Sequence, residues 1–217
     1  KNKNLNYLWV AYTISHIGDT IYAIALPWLV LTLTNSPFIS GIVIGLAYFP
    51  ILLFGFFAGS IIDRFNQKSI MAITDLFRIF VIILIPILTY LNKINIISIC
   101  IIAFTMSTLS AFFNPSKDSI IPQLTSNKNE LLLYNLMLGI SGQIGQFLGP
   151  LIALFMIDWI NIEHLFTIDA LTFLISIIFI LLIKNQRKIS KKEAINQNII
   201  SGLQLIYNNK PIFILLL

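Results

Sequence analysis

Charged residues and cysteines are scarce in this chain, and each shortage excludes a class of protein. Lys, Arg, Asp and Glu make up 11% of its 217 residues, whereas soluble domains carry about 25%. The one cysteine, Cys100, excludes a disulfide or a cysteine metal site within the chain. No segment resembles a nucleotide-binding loop, a zinc site or a nucleophile with its base. We therefore expect no enzyme activity, no metal and no organic cofactor.

Long apolar runs take the place of the missing charges. Hydrophobic residues account for 57% of the sequence, and runs of about 18 residues or more predict transmembrane helices. The sequence therefore predicts an all-α membrane protein with a bundle of six transmembrane helices. The predicted spans are 7–34, 38–62, 70–91, 94–114, 131–157 and 163–183.

The C-terminal part of the chain predicts two further segments after the bundle at residues 1–183. Residues 184–210 form a basic linker in which Ile195, Ile199, Leu203 and Ile206 recur at helical spacing, which predicts a helix along the membrane surface. Residues 211–217 are too few to cross a hydrocarbon core about 30 Å thick. Since the first residue is also not Met, we expect a fragment that ends at the start of a seventh span.

Basic residues predict the orientation, because they favour cytoplasmic loops. With the N-terminus inside, only Lys93 lies in an outer loop and Arg78 lies within a span. We expect a multi-pass protein of the cell (plasma) membrane, embedded in the lipid bilayer, with a cytoplasmic N-terminus. The net charge of +5 then needs no nucleic acid as a partner. The cytoplasmic basic residues are Lys1, Lys3, Arg64, Lys68, Lys117, Lys128, Lys184, Arg187, Lys188, Lys191, Lys192 and Lys210.

A polar stripe crosses the first span. Tyr12, Ser15, His16, Asp19 and Tyr22 follow one another at three- and four-residue steps, which places them on one helix face. Asp19 lies about 18 Å into the span at about 1.5 Å per residue, near the middle of the membrane. A carboxyl there is a candidate contact for a coupling ion or substrate, suited to reversible protonation. A structural hydrogen bond to a neighbouring helix is the alternative for Asp19 and for His16.

The fifth span carries small residues on one face. Gly142, Gly145, Gly149 and Ala153 recur at three- and four-residue steps, a pattern that lets helices approach closely. Pro150 follows directly and removes a backbone hydrogen bond, which predicts a bend in the helix.

Charges also mark the turn between the second and third spans, where Gly59, Asp63, Arg64 and Lys68 lie within ten residues. Ser, Asn or Gly would be enough to solvate such a turn, so the charges indicate a mechanism that uses them.

Three more charged residues lie within spans. Asp75 and Arg78 are one helical turn apart near the cytoplasmic end of the third span, where they pair or extend towards water. Asp169 is expected at a shallow position in the sixth span, in capping or loop contacts.

Several of these motifs resemble those of one family. Gly59-x-x-x-Asp63-Arg64-x-x-x-Lys68 resembles the signature loop of the major facilitator superfamily. Gly145-x-x-x-Gly149-Pro150 is similar to the fifth-helix motif of its proton-driven antiporters, although Ala153-Leu154 stands where that pattern prefers two glycines.

Other segments resemble the exporters of that family. Asp19-Thr20 followed by Ala25-Leu26-Pro27 is similar to a first-helix motif of drug exporters, one residue shorter in spacing. Three further segments resemble the branch that holds macrolide-efflux and enterobactin-exporter proteins. They are Phe112-Phe113-Asn114-Pro115, Pro122-Gln123-Leu124 and Asp169-Ala170-Leu171-Thr172-Phe173.

The resemblance implies two six-helix bundles that rock about a central cavity lined by the first and fourth helices. Asp63 would close a cytoplasmic gate against the missing C-terminal half, with Arg64 and Lys68 supporting it. The Gly149-Pro150 kink would shape the fifth helix against the other bundle. Many proton-coupled drug exporters carry an Arg in the fourth helix. Residues 94–114 contain none, which leaves Asp19 the better coupling candidate.

The function implied is secondary active transport of a small molecule. We expect export of an amphipathic organic compound such as a macrolide-like drug, driven by the proton gradient. One alternative is a transporter of the same fold that exports a siderophore or lysophospholipid, or that imports its cargo. The other is a membrane subunit or receptor that does not transport.

Overall fold

A computed structural model describes residues 2–184, except residues 63 and 158 and the side chains of residues 56, 60 and 61. Six helical segments in this part are long and apolar enough to cross a membrane, and the described residues contain no strand. The predicted fold class is confirmed. The predicted linker at 185–210 and the seventh-span segment at 211–217 lie outside the described residues.

Seven helices make up the six spans of the described residues, because the third span consists of two helices separated at Ile83. Pro86 lies one turn after Ile82 and has no N–H to donate to its carbonyl, which accounts for a break there. The helices are α1 Lys3–Thr34, α2 Pro37–Ile62, α3 Gln67–Ile82, α4 Leu84–Tyr90, α5 Ile96–Leu124, α6 Lys128–Ile157 and α7 Glu163–Leu182.

The fourth span is longer than predicted. The sequence places its end at Asn114, before Pro115, but α5 continues through Pro115 and Pro122 to Leu124. Prolines are tolerated in transmembrane helices when neighbouring groups replace the lost backbone bonds. The extension brings Lys117, assigned above to a cytoplasmic loop, into the helix and into the bundle interior.

Helix α1 is the centre of the bundle. It packs mainly on α7 and α6, while α2 packs on α5, and α3 packs on α5 and α7. Two apolar cores surround it: Leu5, Leu8 and Ala11 belong to one, and the segment from Ile21 to Val30 contributes to the other. The middle turns of α1, from Ser15 to Asp19, therefore lie between the two cores.

The outer surface of the bundle is apolar. Phe38, Leu52 and Phe147 are 78%, 70% and 68% exposed. Apolar side chains exposed together over such a surface need an apolar surrounding. This surface is the one that six membrane-crossing helices present to lipid.

Candidate functional site

The polar stripe of α1 faces a cavity, which we call the polar cavity. Tyr12, His16, Asp19 and Tyr22 all line it. Ser15, the fifth member of the predicted stripe, does not line it and is 1% exposed within the bundle. Asp19 is half-buried. A single helix face thus brings together four of the five predicted side chains.

The polar cavity has a volume of about 510 Å³. Helix α2 contributes an apolar and aromatic wall of Ile44, Ala47, Tyr48 and Ile51. Helix α5, the fourth span, forms the third wall with both apolar and polar residues. Its polar members are Ser107, Ser110, Asn114, Lys117 and Asp118.

An aromatic and cationic group occupies the wall beside Tyr12. The rings of Tyr12 and His16 are stacked with their centroids 5.3 Å apart. Lys117 Nζ lies 4.2 Å from the centroid of the Tyr12 ring and 3.1 Å from Asp118 Oδ1. Such a cation over an aromatic face is attractive. The cavity therefore contains a cation from the fourth span.

Sequence reasoning missed Lys117 as a cavity residue. The predicted fourth span ends at Asn114 and contains no basic residue. Lys117 is three residues further on, just under one turn from Asn114, and both side chains line the polar cavity. An unbroken helical spacing from Ser107 through Ser110 and Asn114 to Lys117 was the signal that could have found it.

A charged cluster is buried behind the cavity. Asp75 and Arg78 are 0% and 1% exposed, so they pair rather than extend to water, with Arg78 Nη1 3.2 Å from Asp75 Oδ1. Arg78 Nη2 donates to Ser110 Oγ at 2.8 Å, and Ser176 Oγ donates to Asp75 Oδ2 at 2.7 Å. The cluster therefore joins α3, α5 and α7 and reaches the cavity wall at Ser110.

Aromatic rings cover the Arg78 guanidinium. Its Cζ lies 4.7 Å from the Phe113 ring centroid and 5.2 Å from that of Phe173. Cation–ring contacts of this kind are strongest when water is excluded, so they help to hold Arg78 in an apolar interior.

Asp169 belongs to the same region, and the prediction of capping or loop contacts was wrong. It lies nearly two turns into α7 and is 0% exposed. Its Oδ1 lies directly against the α1 backbone at Gly18. Sequence spacing could not show this contact, because it arises only from the packing of α7 on α1.

The small residues of α6 pack on the side of α1 that borders the cavity face. Gly145 and Gly149 are buried, and Thr20 Oγ1 donates to the Gly145 carbonyl at 2.9 Å. A Cβ at Gly149 would collide with Thr20, and one at Gly145 would lie 2.6 Å from His16 Cδ2. The predicted close approach is confirmed. Because this face meets α1 of the same bundle, any contact of the Gly149-Pro150 segment with a second bundle uses another face of α6.

The charged turn joins α2 to α3. Gly59 is half-buried near the end of α2, Arg64 is exposed in the turn, and Asp63 lies outside the described residues. Lys68 Nζ donates to the carbonyls of Leu181 and Ile183, at 2.9 Å and 2.7 Å. These are carbonyls at the end of α7, where a cation is favourable. The turn is thereby attached to the last turn of the sixth span.

Comparison with known proteins agrees with this arrangement. Residues 8–217 match the Major Facilitator Superfamily. The chain is 21% identical over 214 residues to Macrolide efflux protein A of Streptococcus pyogenes, with 97% of this chain covered. The same figures hold for the protein of that name from S. pyogenes serotype M6. The chain spans about half the length of these curated relatives, 53%.

The match to the superfamily covers nearly all of the chain, and six membrane-crossing helices enclose a cavity between the first, second and fourth spans. This multi-pass membrane protein belongs to the Major Facilitator Superfamily of transporters.

Proposed function

We propose that the protein exports an amphipathic organic compound of the macrolide type in exchange for protons, by alternating access. The observation that carries the proposal is the polar face of α1, which meets a cavity whose α2 wall is apolar and aromatic. Apolar walls with a few convergent polar groups are typical of sites for small organic molecules. Similarity to proteins named for macrolide efflux supports the direction and the class of cargo.

In this proposal the α1 residues have two roles, proton exchange and contact with the cargo. Asp19 exchanges the coupling proton, because it is an ionisable group at membrane depth that cavity water can reach. Tyr12, His16 and Tyr22 contact the cargo beside it. No organic cofactor takes part, and the proton gradient supplies the free energy.

We further propose that a second six-helix bundle completes the cavity, since the relatives are about twice as long as this chain. Asp63 then closes the cytoplasmic gate against that bundle, with Arg64 and Lys68 in support. The distribution of basic residues supports a cytoplasmic position for the N-terminus and for this turn.

The test is transport of radiolabelled erythromycin, a macrolide, into inside-out vesicles that contain the full-length protein. With an acidic vesicle interior, the wild-type protein should accumulate erythromycin, and a protonophore should abolish the accumulation. Asp19→Asn should reduce accumulation to that of vesicles without the transporter, because an amide cannot exchange a proton.

A matched control is Glu163→Gln, the same change of a carboxylate to an amide in the first turn of α7, outside the cavity lining. It should leave accumulation unchanged. If Asp19→Asn accumulates erythromycin as well as the wild type does, the coupling role of Asp19 is wrong.

Lys117 favours a second class of cargo, because its cation offers a contact for an anionic group. A siderophore or a lysophospholipid carries such a group. In the same vesicles, gradient-driven accumulation of radiolabelled lysophosphatidylglycerol or of a labelled catecholate siderophore, without accumulation of erythromycin, would favour this class. If the pH gradient drives accumulation of none of these compounds, a subunit or receptor that does not transport would be favoured.

A further inference from the structure

Asp169 is a buried carboxyl that lacks the partners a carboxylate requires. The residue is 0% exposed, and its Oδ2 has no hydrogen-bond partner among the described residues. An ionised carboxylate without donors is strongly disfavoured in an apolar interior. The geometry of its other oxygen indicates how the group is accommodated.

Thr172 is the one side chain that meets the Asp169 carboxyl within hydrogen-bond distance in the described part of the chain, with Oγ1 3.3 Å from Oδ1. The Thr172 hydroxyl also lies 2.8 Å from the Asp169 main-chain carbonyl, which can only accept. A hydroxyl has a single proton, so Thr172 shares it between the carbonyl and Oδ1 and gives the carboxyl one weak donor at most. Burial with so little hydrogen bonding favours the neutral acid.

The ionisable groups around Asp169 lie on two other helices. They are Asp19 and Tyr22 of α1 and Asp75 and Arg78 of α3. Arg78 is already paired with Asp75. His16 on α1 acts in turn on Asp19, which has access to the cavity. Asp169 is sealed from the cavity, and none of these groups offers it a cation that is not already paired.

Gly18 brings the Asp169 carboxyl close to Asp19. A Cβ at position 18 would collide with Asp169 Oδ1 and Thr172 Oγ1, so the carboxyl lies directly against the α1 backbone. Asp19 is the next residue on α1 and lines the polar cavity. The sealed carboxyl therefore meets α1 one residue before the carboxyl that faces the cavity.

We propose that Asp169 is a second proton-carrying residue of the transporter, which stores a proton and delivers it to Asp19. In the delivery step the Asp169 O–H bond breaks and an O–H bond forms at the Asp19 carboxylate. Asp169 becomes the anion and Asp19 becomes neutral, so charge and protons balance. Asp75 and Arg78 remain paired throughout. This proposal rests on the proton-coupled export proposed above.

Infrared difference spectroscopy of the full-length protein in liposomes tests it without any cargo. In the wild type, a C=O band of a protonated buried carboxyl should be present at neutral pH and should disappear at alkaline pH. Asp169→Asn should remove that band, and Thr172→Val should shift its frequency because the hydroxyl contact with Oδ1 is lost. Ser176→Ala, which removes a donor to Asp75 instead, should leave the band in place.

The outcomes separate the two proposals. The role of Asp169 is overturned if the band survives Asp169→Asn and keeps its frequency in Thr172→Val. The absence of any such band in the wild type overturns it as well. If Asp169→Asn does not fold, Thr172→Val alone decides, because it retains the carboxyl. Failure of the wild-type protein to accumulate erythromycin would overturn the proposed export and leave the infrared result to decide on Asp169.

Discussion

Two sets of polar side chains lie at membrane depth in this bundle, and they differ in their access to water. Tyr12, His16 and Asp19 face the polar cavity, whereas Asp75 and Asp169 are 0% exposed behind it. Both sets contain carboxyls, so residue type alone does not separate them. Cargo and protons can directly reach a side chain on the cavity side of α1. They cannot directly reach one that is packed between α1 and the other helices.

The packing of α1 produces this division. One side of it meets Gly145 and Gly149 of α6, while Gly18 admits Asp169 and Thr172 of α7. Small residues at these contacts remove the space in which water would collect. The front of α1 faces α2 and α5 across the cavity instead. Access is therefore a property of helix contacts, and substitutions at those contacts should alter it.

Removal of Arg78, the cation among the sealed side chains, should have the largest effect on the free energy of unfolding. Arg78→Met leaves Asp75 buried without its partner, which should lower the free energy of unfolding by about 3–5 kcal/mol. The measurement is equilibrium unfolding of the full-length protein in mixed micelles. Lys93→Met, in an exposed loop, is the control and should change it little.

A double variant tests the reason for that loss. If the uncompensated carboxylate causes it, Arg78→Met with Asp75→Asn should recover part of the stability. A double variant as unstable as Arg78→Met alone would contradict the explanation and would assign the loss to the packing of Arg78 against Phe113 and Phe173.

Overpacking of the α1–α6 contact should have a smaller effect on the free energy of unfolding. Gly149→Ala places a methyl group against Thr20 and should cost about 1–3 kcal/mol of unfolding free energy, as overpacking does. Gly139→Ala on the same helix has no atom within 4 Å of the added carbon among the described residues and should be neutral. Equal effects of the two substitutions in the same unfolding assay would show that the glycine face does not determine the contact.

The smallest effect should come from the cavity side. A double-mutant cycle of Lys117→Met and Tyr12→Leu should give a coupling energy of about 0.5–1 kcal/mol, the range of a cation–ring contact. Lys128→Met, at the exposed start of α6, should show no coupling to Tyr12→Leu. A coupling energy of zero for Lys117 would mean that it does not interact with Tyr12 in the membrane.

The two sets also differ in how far the sequence predicts them. The α1 stripe follows from helical spacing within one segment, so Tyr12, His16, Asp19 and Tyr22 could be placed together. The sealed set could not, because Asp75 and Ser176 are 101 residues apart and meet only through the packing of α3 on α7. The six spans follow from composition, whereas the end of the fourth was misplaced because Asn114-Pro115 resembles a helix end. The gate role of Asp63 and the linker stay predictions.

Thiol labelling compares the two sets most directly. In a Cys100→Ser background, Asn114→Cys places a thiol in the cavity lining, and Ser176→Cys places one beside Asp75. A small charged thiol reagent, added to permeabilised membranes that contain the full-length protein, should modify Asn114→Cys rapidly and leave Ser176→Cys unmodified until the protein is unfolded. Equal rates of modification in the folded protein would contradict the division between an accessible cavity and a sealed charged cluster.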